Sequence, residues 1–469
     1  MNRINRFIIN VIYTFFANGF SLFISMIVML LLPRFLNIRG YGYWQLYVLY
    51  TGYLGLFHLG LCDGVYLKFG GKQYSDLDKN KYSQQFKLLS IYILVLVGIA
   101  VVVLNIAVSD IDKKEVLIFT VIALLLYTPK NFLLLTIQAV GDFREYSRAT
   151  ICERTVFFVC TIFLLLQREE NYRYYILADI LARAAVLIYV LFIFRNVIKS
   201  KIKISMVGVK ECIDNIRSGY PIVVAGIASN LIVGIVRFCI EDVWNIEVFS
   251  KVSLALSILN IVLSFMNMVS LVLFPFLKTM TSSSLIKIFR WVDEFSVLGL
   301  LGLLIAGSPI SLFIQFWLPD YRDSIIYFCI LLPSCMMECK MAIICNSYFK
   351  TLEEQKKLLY INLLTLLISG VFSFVFIYWL KNLLMSVYLI AFLLIFRTII
   401  SEITIRNILN IQTNFIGFCE LIFIGLYFVV LIILDIHKAS IFSAILFILM
   451  ILKNKNHYIL LLKYFKIIK

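Results

Sequence analysis

The sequence predicts an all-α integral membrane protein with about fourteen transmembrane helices, and three observations lead there. Hydrophobic residues fill 62% of the 469 positions and charged residues only 15%, against about half and a quarter in soluble domains. The apolar residues gather in blocks of roughly twenty, the length a helix needs to cross a hydrocarbon core of about 30 Å. Lys and Arg divide unevenly between the two sets of connections that such a count creates. Mean hydropathy, at +0.95, agrees.

The blocks can be taken in order. The first six are Phe7–Leu32, Tyr41–Leu67, Leu88–Val108, Val116–Ala139, Thr150–Leu166 and Tyr174–Phe194. The next six are Gly219–Phe238, Val252–Phe276, Phe295–Phe316, Ile325–Phe349, Leu358–Leu380 and Met385–Thr404. Phe415–Leu434 and Ser440–Leu452 form a last pair. Uninterrupted blocks of this length are helices, because a barrel strand needs only about ten residues of alternating pattern. The start, "MNRINRFIINVIYTFF", has a basic flank but no small-residue cleavage pattern, so it reads as an uncleaved first span.

Charge then orients the chain. One side collects 28 Lys and Arg, including Arg3 and Arg6, the Lys68–Lys87 and Arg195–Arg217 loops and the tail from Lys453; the other side has 11. Cytoplasmic loops carry the basic excess, so both termini are expected in the cytoplasm, as an even number of spans requires. The net charge of +16 is spread over these loops, where it faces anionic membrane lipids rather than nucleic acid. The loops are short, and none is long enough to fold into a soluble catalytic domain. The ten cysteines contain no Cys-x-x-Cys pair, and His58, His437 and His457 have no metal-ligand spacing. No metal site or cofactor is expected.

The stretch "LGLCDGVYLKFGGKQYSDLD", Leu59 to Asp78, invites a phosphate-loop reading. That pattern needs Ser or Thr after Gly-Lys and a strand ahead of it. Gln73 follows Gly71-Lys72, and Tyr41–Leu67 is far too long for a strand. The stretch reads instead as the cytoplasmic end of the second span and a basic loop, with Asp63 about one turn from the interface.

Four basic residues fall well inside spans: Lys130, Arg183, Lys340 and Arg397. Each costs roughly 2.5–3.5 kcal/mol at a helix centre on insertion scales, so they are expected to face water or partners rather than lipid. Asp179 and Arg183 stand four apart, in the favourable order for a pair on one helix face. Glu338 and Lys340 are two apart and do not face each other, and Lys130 and Arg397 have no carboxylate near in their own spans. A basic path across the membrane suits an anionic substrate. Asn10, Asn18, Asn230, Asn260 and Asn267 could meet hydroxyls of that substrate or act as interhelical glue. Coupling to a proton or sodium ion needs an intramembrane carboxylate, for which Glu338, Asp179 and Asp63 are the candidates.

An internal repeat is expected from "VMLLLPRFLNIRGYGYWQLYVL" and "LIVGIVRFCIEDVWNIEVFSKVSLAL", which align Arg34 with Arg237. The Arg195–Arg217 loop also splits the first twelve spans into six and six. The segments "LPRFLNIRGYGYWQLYVLY", "GYLGLFHLGLCDGVYLKFGGK" and "GDFREYSRATICER" resemble the polysaccharide (O-antigen-type) flippases of the multidrug/oligosaccharidyl-lipid/polysaccharide exporter superfamily. The resemblance implies two six-helix bundles related by a pseudo-twofold around a central cationic cavity. On this reading residues 1–205 and 206–410 form the bundles, and 411–469 add two helices and a basic cytoplasmic tail. It further implies a bacterial cytoplasmic (inner) membrane location and no enzyme activity. The implied task is the movement of undecaprenyl-diphosphate-linked oligosaccharide units to the outer leaflet, with a polysaccharide polymerase as a pathway partner. Lys130, Arg183, Lys340 and Arg397 would line the cavity and Arg237 its outer mouth. A lipid II flippase or a drug exporter of the same superfamily are alternatives, as is a polysaccharide polymerase or ligase enzyme.

Overall fold

The computed structural model describes residues 3–70, 74, 78–198, 206–278, 280–411 and 415–453. Gly71-Lys72, the middle of the Arg195–Arg217 loop, and the basic tail with His457 lie outside the described residues. The first part of the chain runs through α1 (Arg3–Phe35), α2 (Ile38–Thr51), α3 (Leu61–Phe69), α4 (Lys79–Ala107), α5 (Ile111–Ala139), α6 (Phe143–Leu166), α7 (Tyr172–Ile193) and a single turn, α8 (Arg195–Ile198). It continues with α9 (Met206–Val243), α10 (Ile246–Lys278), α11 (Ser282–Trp317), α12 (Ser324–Lys340), α13 (Asn346–Thr351), α14 (Gln355–Ser373), α15 (Leu383–Ile408), α16 (Phe415–Ile433) and α17 (Ile436–Lys453).

Among the described residues, 11 helices are long and apolar enough to cross a membrane, and Glu420–Ile433 and Ile436–Leu452 are shorter apolar helices. The expected second span is the remaining one, and it is discontinuous. Its first half, α2, ends at Thr51; a 3-10 turn covers Leu54–His58; α3 begins only at Leu61. Leu59 and Gly60 between them have φ of 52° and 86°, the left-handed region that ends a helix. Gly52, Gly55 and Gly60 weaken helix here, and the Gly60 N–H is held by His58 Nδ1 at 3.2 Å. Hydropathy alone could not reveal the break, since the residues around it are as apolar as those of a helix.

Side chains at the loop ends start the other helices. Asn37, Asp78, Asp110, Asp142, Asn171 and Asn382 each accept a backbone N–H from the first turn that follows. These caps satisfy donors that a helix leaves free. Two spans widen into π turns, at Met341–Cys345 between α12 and α13 and at Phe374–Trp379 after α14.

The chain divides into two compact units, residues 1–253 and 254–469. In the first, α6 packs between α1 and α7, α5 packs on α4 and α7, and α3 lies against α9. In the second, α11 meets α12, α16 and α17, while α15 packs on α12 and α14. The two arginines of the expected repeat stand at different distances from their helix ends. Arg34 is the penultimate residue of α1, whereas α9 runs on for six residues past Arg237.

The contact between α3 and α9 is made backbone to backbone. A Cβ on Gly64 would stand 1.9 Å from the Asn215 carbonyl oxygen, and one on Gly219 would stand 2.0 Å from that of Gly60. Small residues allow such an approach between membrane helices, where dispersion replaces hydrophobic drive. Gly64→Ala and Gly219→Ala are therefore expected to destabilise the purified protein by on the order of 3 kcal/mol in denaturant titrations. Gly98→Ala and Gly370→Ala, whose surroundings are open within 4 Å, should leave the midpoint near wild type. Equal midpoints for all four variants would contradict the close approach.

Candidate functional site

The deep basic residues avoid lipid by pairing with carboxylates, and most of the partners come from other helices. Lys130, only 5% exposed, places its Nζ 2.7 and 2.8 Å from the two carboxylate oxygens of Glu153 on α6. The Tyr127 ring lies one turn away, 5.9 Å from the ammonium. Arg183 binds Asp179 on the same face of α7 at 2.6 Å, as the spacing predicts, and the Tyr47 hydroxyl donates to the same carboxylate oxygen at 2.7 Å. Arg397 on α15 donates to Glu338 on α12 at 2.5 Å.

Lys340 lies in the largest cluster. Its Nζ is 2.6 Å from Asp293 on α11, 2.7 Å from Glu402 on α15 and 2.8 Å from Glu420 on α16. Arg406, one turn after Glu402, donates to both Glu402 and Asp293. All five side chains are buried, and Lys340 is 2% exposed. The three carboxylates have the compactness of a metal site, with ligand atoms within 4.8 Å of one another. Here the lysine ammonium lies within hydrogen-bond reach of each and supplies the positive charge. The π turn begins at the next residue, Met341, a backbone irregularity often found where helices carry function.

Glu153, Asp293, Glu402, Arg406 and Glu420 were not among the expected site residues. Glu153 adjoins Arg154 at the very start of the fifth span and Asp293 follows Arg290 just ahead of the ninth, so both look like members of charge clusters at the interface. Arg406 likewise counts among the cytoplasmic loop cations when the sequence is read alone. Two signals were available: Glu402 and Glu420 fall inside the apolar blocks Met385–Thr404 and Phe415–Leu434, and Glu402 and Arg406 stand four apart, in the same favourable order as Asp179 and Arg183.

Arg237 differs from the other four nominated cations. It is half-buried on α9, donates to the Ser253 hydroxyl at 3.0 Å and lies over the Phe249 ring at 5.3 Å. Its Nε has no hydrogen-bond partner, and no carboxylate comes within ion-pair distance of it among the described residues. Tyr53, at the break in the second span, packs on the neighbouring Phe238 and donates to the Asn230 carbonyl at 3.2 Å. Of the three nominated carboxylates, Asp179 and Glu338 are paired with arginines. Asp63 has His58 Nε2 at 3.7 Å.

The stability of the paired groups can be separated from their use. Removing one member of a buried pair strands the other and costs about 3–5 kcal/mol, whereas an apolar replacement of both is often neutral. Arg397→Met alone is expected to lower unfolding stability by that amount, and Arg397→Met with Glu338→Met to recover most of it. A double variant as unstable as the single one would show that the pair is not the source of the loss.

No protein-family description matches the sequence, and no curated protein matches it. Solved structures do match the fold. The structure is similar to that of a lipid II flippase, MurJ, in an inward closed conformation, with a TM-score of 0.61 and 14% identity over 96% of this chain and 100% of the other. It is also similar to an inward-facing multidrug resistance MATE transporter of the MOP superfamily, with a TM-score of 0.61 and 12% identity over 84% and 98% of the two chains. The protein thus has the membrane-embedded, all-helical fold of the MOP-superfamily transporters.

Proposed function

We propose that the protein is a flippase that moves undecaprenyl-diphosphate-linked oligosaccharide units from the cytoplasmic to the outer leaflet. The observation that carries this reading is Arg237, a half-buried guanidinium without a carboxylate partner among the described residues. A planar guanidinium grips a phosphate through paired N–H donors. Tyr53, Phe238 and Phe249 offer flat apolar faces beside it, suited to the edge of a sugar or the first isoprene units. The other nominated cations already face carboxylates, so substrate attraction by Lys130, Arg183, Lys340 and Arg397 would have to compete with those pairs.

The remaining parts of the proposal rest on the charge map and on the resemblance to the polysaccharide flippases. The chain lies in a bacterial inner membrane with both termini cytoplasmic, and residues 1–205 and 206–410 act as the two moving bundles. Anionic lipids flank the basic loops, a polymerase consumes the delivered units, and the chain performs transport rather than bond chemistry. Asp63 supports a second reading. It is the one nominated carboxylate with a histidine rather than an arginine beside it, which is what a cationic drug or a coupling ion would require.

The test measures binding of undecaprenyl diphosphate to the purified protein by native mass spectrometry, alongside surface glycan in a strain lacking its own flippase. Hydrogen bonds to charged groups contribute roughly 1.5–3 kcal/mol, so Arg237→Ala should weaken binding about 10- to 100-fold and reduce export at normal membrane abundance. Arg237→Lys should restore part of both. Unchanged binding in Arg237→Ala, with loss of cationic-drug efflux in Asp63→Asn, would replace the flippase reading with the exporter.

A further inference from the structure

The buried cluster around Lys340 poses a problem of charge and of hydrogen count. Among the described residues it holds two cations, Lys340 and Arg406, against three carboxyl groups, Asp293, Glu402 and Glu420. The nearby Arg397–Glu338 pair is balanced within itself. A net negative charge without a partner is costly in a protein interior.

The donors can be followed one by one. The three ammonium hydrogens of Lys340 go to Asp293 Oδ1, Glu402 Oε2 and Glu420 Oε2. Arg406 serves the remaining oxygens of Asp293 and Glu402. Each of those carboxylates is therefore held by two cations. Among the described residues Glu420 has only one, on Oε2.

Its other oxygen, Oε1, is in contact with the Ser296 hydroxyl, which is itself buried. That hydroxyl also stands 2.6 Å from the Asp293 carbonyl oxygen. A serine has a single hydrogen to give, and a backbone carbonyl can only accept. If Ser296 donates to the carbonyl, its contact with Glu420 requires the hydrogen to come from the glutamic acid. The charge count requires one proton in the cluster, and the hydrogen count places it on this atom.

We propose that Glu420 is a proton-binding residue, carrying on Oε1 a proton that it donates to Ser296, and that this proton fastens α16 to α11 within the second unit. Loss of the proton leaves Ser296 and Glu420 with one hydrogen for two acceptors and the cluster with a net negative charge. The fastening is complete where Glu420 is protonated and weakens as rising pH removes the proton. Other charged groups facing Glu420 are Asp293 from α11, Lys340 from α12, and Glu402 and Arg406 from α15. The hairpin partner, α17, carries His437 and Lys438 at the turn, the far end of α16 from Glu420, and Lys453 as its last residue at the other end. His437 is engaged there with Ser308. The proton belongs to this cluster whatever molecule the chain carries, so it can fail or stand independently of the flippase reading.

Infrared difference spectroscopy on the purified full-length protein in lipid nanodiscs tests the assignment. Subtracting Glu420→Gln from wild type at neutral pH should reveal one lost carboxylic-acid C=O band. Ser296→Ala should keep that band and move it to higher frequency. Loss of a carboxylate band instead, with the acid region unchanged, overturns the proposal. Hydrogen exchange provides the second arm, because the amide introduced by Glu420→Gln mimics the neutral acid and the variant should fold. From mildly acidic to alkaline pH, exchange along α16 should accelerate beyond the intrinsic pH effect in wild type and follow only that effect in Glu420→Gln. Identical pH dependence in the two proteins would also overturn it.

Discussion

The structure depends on one constraint: an ionised side chain inside the hydrocarbon layer must find its counter-charge within the protein. Lys130, Arg183, Lys340 and Arg397 each meet it with at least one carboxylate. The helix partners follow from those pairs. α5 is tied to α6 by Lys130, and α12 is tied to α15 by Arg397. Lys340 reaches α11, α15 and α16 together. Packing between apolar faces gives little preference for one rotation of a membrane helix over another. Buried pairs that must meet within about 3 Å impose one.

Much of this was legible before any coordinates. The span count, the deep cations and the Asp179–Arg183 pair all follow from hydropathy and from spacing along one helix. What stayed hidden was whatever needs two helices at once. Glu153 and Asp293 lie beside basic loops in the sequence, so nothing local marks them as partners of residues on other helices. The break between Thr51 and Leu61 was hidden for a different reason. Apolar residues continue through it, and the glycines that permit it are also ordinary in membrane helices. Arg34 and Arg237 stand at different distances from their helix ends, because a shared Arg-Phe pair does not fix how far each helix continues beyond it.

The same contrast separates residues that hold the molecule together from those free to act. A cation already bound by carboxylates is mostly spent, and its removal is felt first as lost stability. Arg237 and Asp63 are less fully matched, and both belong to the first unit, where the break in the second span lies just ahead of Asp63 in sequence. Non-helical backbone at membrane depth is tolerated where protein or a wet cavity surrounds it. His58 uses its own ring to satisfy the Gly60 amide there.

Lys340 binds its three carboxylates as a structural cation would, yet it is covalently part of the chain. A protein held by a dissociable ion becomes less stable when the ion is scarce, because its folding is linked to the free concentration. A tethered ammonium has no such dependence. Chelators cannot extract it, competing salts cannot dilute it, and its place at the junction of α11, α12, α15 and α16 is filled as soon as those helices meet. The crossing is thereby insulated from the metal ions and salts on either side of the membrane, though not from protons, in a molecule whose two faces meet different solutions.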